Sequence, residues 1–422
     1  MKYLLISITT LVLLFSACNK DDDEGSGCTD FSASWITKTN SEEVESQWLF
    51  ATDTSAAVVA SVDGNIGSTL EINTELCGEK RMDITQYRLE RRAVDINGEI
   101  REVPVHQLRT YLGVEDGFVI TDVDSLPATN RAFAIEGVSS LEELTWPERA
   151  NSGFEFPIFL NQSDQILSFE VPIGLAQPAY FIIRGNGEAP NRYIWVENVD
   201  ESDLSFQYDA LPFLQPQGPV ELPNDAFWLY NIYGSGPFGT TRIATPREPA
   251  LVQEEFGVEL PNAATLPSFR LQAFDFTNTT DGRSYSPYVY DQVVQGLPGA
   301  IDVINPQISY SGNLEGVEIR TQGTLIQLIE ISLVEQSDET SRLEWFVYGK
   351  PEHFQSFKWP QWPEALSGQR ANLLSKNQNT PVVVYARQYL SSPPYSDILN
   401  AVITQDEWWE ATQGLRVRGR AY

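Results

Sequence analysis

Residues 48–89, WLFATDTSAAVVASVDGNIGSTLEINTELCGEKRMDITQYRL, decide the fold class. Short runs rich in β-branched and aromatic residues, Trp48–Thr52, Ala57–Val62, Ser68–Ile72 and Met82–Leu89, alternate with turn residues. Asp63-Gly64, and further on Asn97-Gly98, sit between such runs, and both dipeptides favour the positive φ angles of tight hairpins. The pattern predicts a β-sandwich of the immunoglobulin-like kind.

The same rhythm continues outward. Strands are expected at Ala132–Glu136, Ile166–Val171, Tyr180–Arg184 and Tyr193–Glu197, then at Phe269–Phe276, Val317–Arg320, Thr324–Val334, Leu343–Tyr348 and Val382–Tyr385. Leu415–Arg418 alternates apolar and basic residues, so the chain should close on a paired strand. Short helices are expected after a Ser140/Glu143 capping box, at Pro249–Phe256, and after a Thr404/Glu407 capping box through Trp408 and Trp409 to Gly414. Asp124-Ser125-Leu126-Pro127 and Asp209-Ala210-Leu211-Pro212 each close a run of alternating residues, one small sandwich apart, and Pro216, Gly218 and Pro219 make a linker. The expected architecture is all-β: tandem sandwiches at 28–126 and 127–215, then a larger β-rich region, 216–422, with short helices.

Upstream, Lys2 precedes an apolar run from Leu4 to Phe15 that is too short to span a bilayer, and the small residues Ser16 and Ala17 lead into Cys18. Residues 1–17 read as a signal peptide and 18–27 as a solvated acidic tether. Phe15-Ser16-Ala17-Cys18 resembles the lipobox of bacterial lipoproteins, with Phe15 where that family usually has Leu. The resemblance implies acylation of Cys18, each buried CH₂ contributing about 0.8 kcal/mol to membrane attachment. Lys20 followed by Asp21, Asp22, Asp23 and Glu24 resembles the export signal of Bacteroidetes-type surface lipoproteins, which implies an outer-membrane anchor facing the exterior; a plain spacer on a periplasm-facing protein is the other reading. Trp48–Asp53 resembles the start of the carboxypeptidase-regulatory-like sandwich often found first in such lipoproteins, a domain without catalytic residues. Asp124-Ser125-Leu126 resembles their O-glycosylation triplet and equally reads as an ordinary turn.

The formal net charge of −30 over 422 residues argues against nucleic acid as a partner. Cys28 and Cys77, in a chain that enters an oxidising compartment, are expected to form a disulfide, which would add about 4 kcal/mol for a loop of this size; two free thiols are the competing reading.

Catalytic and metal signatures are missing: there is no H-E-x-x-H, C-x-x-C, G-x-S-x-G or calcium-loop pattern, and the two histidines, His106 and His353, fall in different expected units. No cofactor is expected. Gly234 to Gly239 matches G-x-G-x-x-G, yet Thr240–Ile243 reads as a strand, which makes the glycines a hairpin loop. Asp406, Glu407 and Glu410, beside Trp408 and Trp409, would suit carboxylate-based glycoside hydrolysis or simple helix capping. Phe354, Phe357, Trp359 and Trp362 share a proline-rich stretch that cannot be a central strand; its rings either stack on sugars or a partner, or cover a β-core. Tyr285, Tyr288 and Tyr290 carry the same two readings. The functional expectation is a non-catalytic, lipid-anchored outer-membrane protein that binds a glycan or an envelope protein, with Phe357, Trp359, Trp362, Trp408 and Trp409 as candidate contacts. A surface polysaccharide hydrolase and a purely structural envelope component are the alternatives.

Overall fold

The computed structural model describes residues 28–37, 44–76, 81–96, 99–122, 128–138, 141–147, 156–157, 161–163, 166–174, 177–185, 189–200, 204–223, 227–236, 239–244, 254–275, 277–278, 284–313, 315–334, 341–376 and 382–422. Cys18 with the rest of the leader and tether, Cys77, Asn97-Gly98 and Asp124-Ser125-Leu126 lie outside them. The fold is all-β, with a few short helices at its C-terminal end.

Twelve strands pair into one sheet. From one edge it runs Gly239–Ala244, Trp228–Gly236, Phe269–Asp275, Tyr288–Val294, Leu415–Ala421 and Val382–Tyr389. It continues through Leu328–Val334, Arg342–Gly349, Glu99–Val114, Met82–Ile96 and Val44–Thr52 to Val58–Gly64. Neighbours are antiparallel except Glu99–Val114 with Arg342–Gly349, which pair parallel from Val105↔Arg342 to Tyr111↔Tyr348. Central strands such as Leu328–Val334 are buried on both faces, with Ile329, Ile331 and Leu333 on one and Leu328 beside the ion-paired Glu330 on the other, whereas the edge strand Val58–Gly64 alternates.

One face of the sheet buries Leu108, Ile329, Ile331, Trp345 and Val347 under the small sheet of Gln307–Gly312, Gly316–Gln322 and Phe357–Lys358, with Leu373 of the helix Ser367–Lys376. The opposite face carries Leu49, Ala51, Ile84 and Tyr111 against Phe31, Ala33, Trp35, Leu70 and Ile72 of a second small sheet, Thr69–Leu76, Thr29–Ile36 and Phe118–Thr121. The helix Tyr395–Thr404 covers that face too, through Ile398, Leu399 and Ile403.

Residues 128–211 form a sandwich of two four-stranded sheets around Phe133, Phe169 and Phe181, whose ring centroids lie 4.8, 5.1 and 5.2 Å apart. The period of two along Ala179–Gly185 and Arg192–Val196 sends Phe181, Ile183 and Ile194 into this core. Tyr180, Ile182 and Tyr193 point the other way and join Trp228, Ile232 and Leu271 of the large sheet. Gly234 makes that docking close: a Cβ there would sit 2.7 Å from the Trp195 ring. Gly234→Val is expected to lower the unfolding free energy by about 1–3 kcal/mol through overpacking, read as a shift of the urea midpoint; an unshifted midpoint would mean that the Trp195 ring is not seated there.

Several local expectations change. The boundary placed near Leu126 follows strands that pair with the third segment, so the sandwich is carried between two parts of one sheet. Asp63-Gly64 closes no hairpin, because Val58–Gly64 pairs with Val44–Thr52 while Thr69–Leu76 pairs with Thr29–Ile36 in the facing sheet. Ile96 does face Glu99 across two residues. The helix expected after Ser140 is instead the strand Leu141–Trp146, since Leu144 and Trp146 fill the sandwich core. Phe256, expected in a helix, lies in the strand Glu255–Leu260, and residues 249–253 fall outside those described. Cys28 is disulfide-bonded, and its neighbour Thr29 faces Leu76.

Candidate functional site

The C-terminal strand Leu415–Ala421 builds the most distinctive surface. Leu415 and Val417 point into the core on one face, so Arg416, Arg418 and Arg420 share the other. Each guanidinium lies over a tyrosine ring: Arg416 over Tyr290 at 3.9 Å, Arg418 over Tyr288 at 4.2 Å and Arg420 over Tyr422 at 5.4 Å. For the first two the strand register dictates the pairing, Tyr290↔Arg416 and Tyr288↔Arg418.

The three arginines are not equivalent. Arg416 is 2% exposed and bonds Asp302 at 2.6 and 3.0 Å and Gln292 at 2.8 Å, which makes it a structural clamp. Arg418 and Arg420 donate to the main-chain carbonyls of Pro287 (3.3 Å) and Ile308 (3.4 Å), and neither makes an ion pair with a described carboxylate. Tyr422 Oη donates to Ile308 O at 2.7 Å while its ring stacks on Tyr310 at 4.9 Å, and so pins the strand Gln307–Gly312 over the end of the large sheet.

Between these strands runs a groove of about 470 Å³, within the range of small-molecule clefts. Arg418, Arg420 and Arg320 line it together with Gln307, Ser309 and Gln322, and no carboxylate does so among the described residues. Arg320, exposed at the rim, bonds its strand neighbour Glu318 at 2.5 Å and no other described residue. In a chain of net charge −30, this is a concentrated patch of the opposite sign.

The aromatic residues singled out from the sequence do not form a platform. Phe357, Trp359 and Trp362 are 6, 5 and 4% exposed. Trp359 and Trp362 pack on Trp345 at 4.8 and 5.9 Å, and Trp359 Nε1 donates to Asn313 O at 3.1 Å. The proline-rich stretch lies flat over the sheet face, so its rings face the core. Trp408 and Trp409 are half-buried, with Trp409 against Tyr389. The helix Glu407–Thr412 is capped by Asp406, whose carboxylate accepts from Trp409 N–H at 2.9 Å; Thr404 instead ends the preceding helix.

The acidic cluster is likewise committed to the fold. Glu407 pairs with Arg270 at 2.6 Å, and Arg270 makes a two-pronged bond to Asp291 at 2.6 and 2.8 Å. Glu410 accepts from Arg387 at 2.9 Å and from the Tyr389 hydroxyl at 2.6 Å, while Arg387 also contacts Glu330. Burial pushes the Asp291 carboxyl up to about 6, against the pull of Arg270. Burial opposes the charge on Arg387, and Glu330 and Glu410 together hold its pKa well above the usual range.

The two histidines have separate partners. His106 Nδ1 lies 2.9 Å from Tyr87 Oη, and His353 Nδ1 accepts the Lys350 N–H at 3.2 Å. Among the described residues no group of three or more His, Cys, Asp or Glu side chains is placed to hold a metal ion. Burial lowers the His353 pKa, so its neutral form stabilises the fold above the unfolded value of about 6.5, and this contribution is lost as pH falls through the lower folded value. Urea unfolding at pH 7 and pH 5 is expected to show a smaller acid penalty in His353→Gln than in the natural chain. Equal penalties would remove His353 from the acid response.

Sequence reasoning marked Leu415–Arg418 as a strand but missed its partner surface. The signal was present in Val317-Glu318-Ile319-Arg320-Thr321-Gln322, whose alternate polar residues share a face. Nothing local ties that face to Arg418 and Arg420. Compared with known proteins, the chain matches no family model and no curated sequence.

Proposed function

We propose that this is a non-catalytic binding protein, tethered to the outer membrane through acylated Cys18, that holds a carboxylate-bearing glycan in the Arg320/Arg418/Arg420 groove. The observation that carries the reading is a groove with three arginines and, among the described residues, no lining carboxylate, in an acidic chain. Guanidinium groups grip planar carboxylates with paired hydrogen bonds, and the Gln307, Gln322 and Ser309 side chains suit sugar hydroxyls. The acidic cluster at 406–410 is engaged in capping and ion pairs, which favours binding over carboxylate-based hydrolysis at that cluster.

Calorimetric titration tests the site with a uronic-acid oligosaccharide against a neutral one of equal length. Arg320 and Arg420 are exposed, so Arg320→Gln/Arg420→Gln should fold normally yet bind at least about 100-fold more weakly, each lost charge-assisted bond being worth about 1.5–3 kcal/mol. Equal affinity for both sugars, or an unaffected double variant, would refute it. For the anchor, Cys18→Ser is expected to release the protein from membranes without detergent; a variant that stays in the membrane fraction would refute lipid attachment at Cys18.

A further inference from the structure

The segments 321–328, 388–396 and 411–415 contain no Asp, Glu, Lys or Arg, in a chain with 58 acidic and 28 basic residues. The fold brings all three together at one end of the large sheet. Leu390 N–H donates to Gly414 O and Ser391 N–H to Gln413 O, both at 3.2 Å. The Gln327 amide N–H donates to Tyr389 O at 3.0 Å and to Ser392 Oγ at 3.2 Å. At the tips of these turns Leu325 is 67% and Leu390 51% exposed.

The described chain begins at the same end. Leu328 faces Arg387, Ile329 faces Gly349 and Tyr348 faces Tyr111, so the uncharged turns lie beyond the same sheet end as the 115–117 turn that follows Val114. The Gly117 N–H donates to Ser32 O at 3.0 Å, and Ala33 faces Phe118 in the parallel pair, which places Thr29 beyond that turn. Between the two groups of turns runs a cleft of about 500 Å³, walled by Phe118, the exposed Val119, Pro394 and Leu399. Its charges are engaged: Arg81 pairs with Glu115 at 3.3 Å, Asp116 accepts from Ser32 at 2.7 and 2.9 Å, and Lys350 lies 4.9 Å from the centre of the Tyr395 ring. At the opposite end of the sheet Ile100 is also exposed, but it sits among Glu99, Arg101 and Glu102.

We propose that the uncharged end is a lipid-contact surface, with Leu325, Leu390 and Val119 against the bilayer that holds the tether; it rests on the reading of Cys18 as the acylated residue. Cys28 is ten residues on from Cys18, so the tether spans at most about 36 Å. The strand Glu99–Val114 alone is about 50 Å long, so a molecule standing on its Ile100 end would carry Thr29 out of the tether's reach. A net charge of −30 repels most of the surface from an anionic membrane, whereas the uncharged turns meet it without repulsion and their leucines gain by leaving water. Arg420 lies five residues along its strand from Leu415, about 17 Å from this end, so the arginine groove stays open to solvent.

Hydrogen–deuterium exchange tests the contact on the chain from Cys18 onward, with Cys18 coupled to a maleimide-bearing lipid in phosphatidylcholine vesicles or, as reference, to a soluble maleimide. Exchange on vesicles should be at least about threefold slower in segments 322–326 and 390–396, and unchanged at 99–102 and 305–309. Leu325→Asp/Leu390→Asp should fold normally, both side chains being exposed, and should lose that protection. Chemical coupling makes the outcome independent of acylation in the cell, which the fractionation of Cys18→Ser tests separately. Equal exchange in the two coupled forms, protection at 99–102 or 305–309 instead, or full retention in the double variant would overturn the proposal. So would a dimer of the soluble chain that Leu325→Asp/Leu390→Asp dissociates, since a second copy would then cover the patch.

Discussion

A chain that ends at Gly414 is expected to lose cooperative folding altogether. The missing strand, Leu415–Ala421, is not a terminal appendage but lies between Tyr288–Val294 and Val382–Tyr389, bonded to both. Its removal divides the large sheet into two parts, each with a bare edge in the middle of a core. Leu415 and Val417 are 5% exposed, and burying each is worth about 1.5–3 kcal/mol. The two lost ladders contribute about 1 kcal/mol net for each hydrogen bond, and Asp302 loses Arg416. Together these reach the order of 10 kcal/mol, comparable with the whole stability of a typical domain. Circular dichroism during urea unfolding would show a sloping, non-cooperative change. A sharp transition like that of the full chain would show that the strand is peripheral.

Arg387→Met should be the most damaging single substitution. Arg387 lies between Glu330 and Glu410, with side-chain exposures of 9 and 12% for the two acids, and the Tyr389 hydroxyl leans on Glu410. Removing the cation leaves two buried carboxylates facing an apolar side chain, a change that costs about 3–5 kcal/mol. The pH dependence gives a second readout. The penalty comes from the unpaired charges of Glu330 and Glu410, so the stability lost in the variant should shrink on mild acidification. A loss below about 1 kcal/mol at pH 7, or one that does not shrink on mild acidification, would show that Arg387 does not hold the acids in place.

The all-β class was legible because it rests on local signals, alternation and turn residues, that survive in any tertiary context. Leu415–Arg418 is the clearest case, since its apolar and basic residues do face opposite ways. Pairing between distant segments was not legible. Glu99–Val114 meets Arg342–Gly349 in parallel, and parallel partners leave no turn signal between them. Phe357, Trp359 and Trp362 were ambiguous for a different reason. Prolines around them exclude a central strand, but a rigid aromatic segment can lie flat on a sheet as readily as it can project from one. Only the contacts with Trp345 decide it. The groove was hidden because Arg320 and Arg420 come from strands far apart in the chain, brought together through the intervening strand Gln307–Gly312, whose Ile308 carbonyl accepts from both Arg420 and Tyr422.

Hydrogen–deuterium exchange with and without a saturating uronic-acid trisaccharide tests the binding surface most directly. Slower exchange is expected in segments 305–309, 320–322 and 416–422, with no change at 357–363. Protection centred on 357–363 or 406–410, or no protection anywhere on the groove while the sugar is bound, would contradict it.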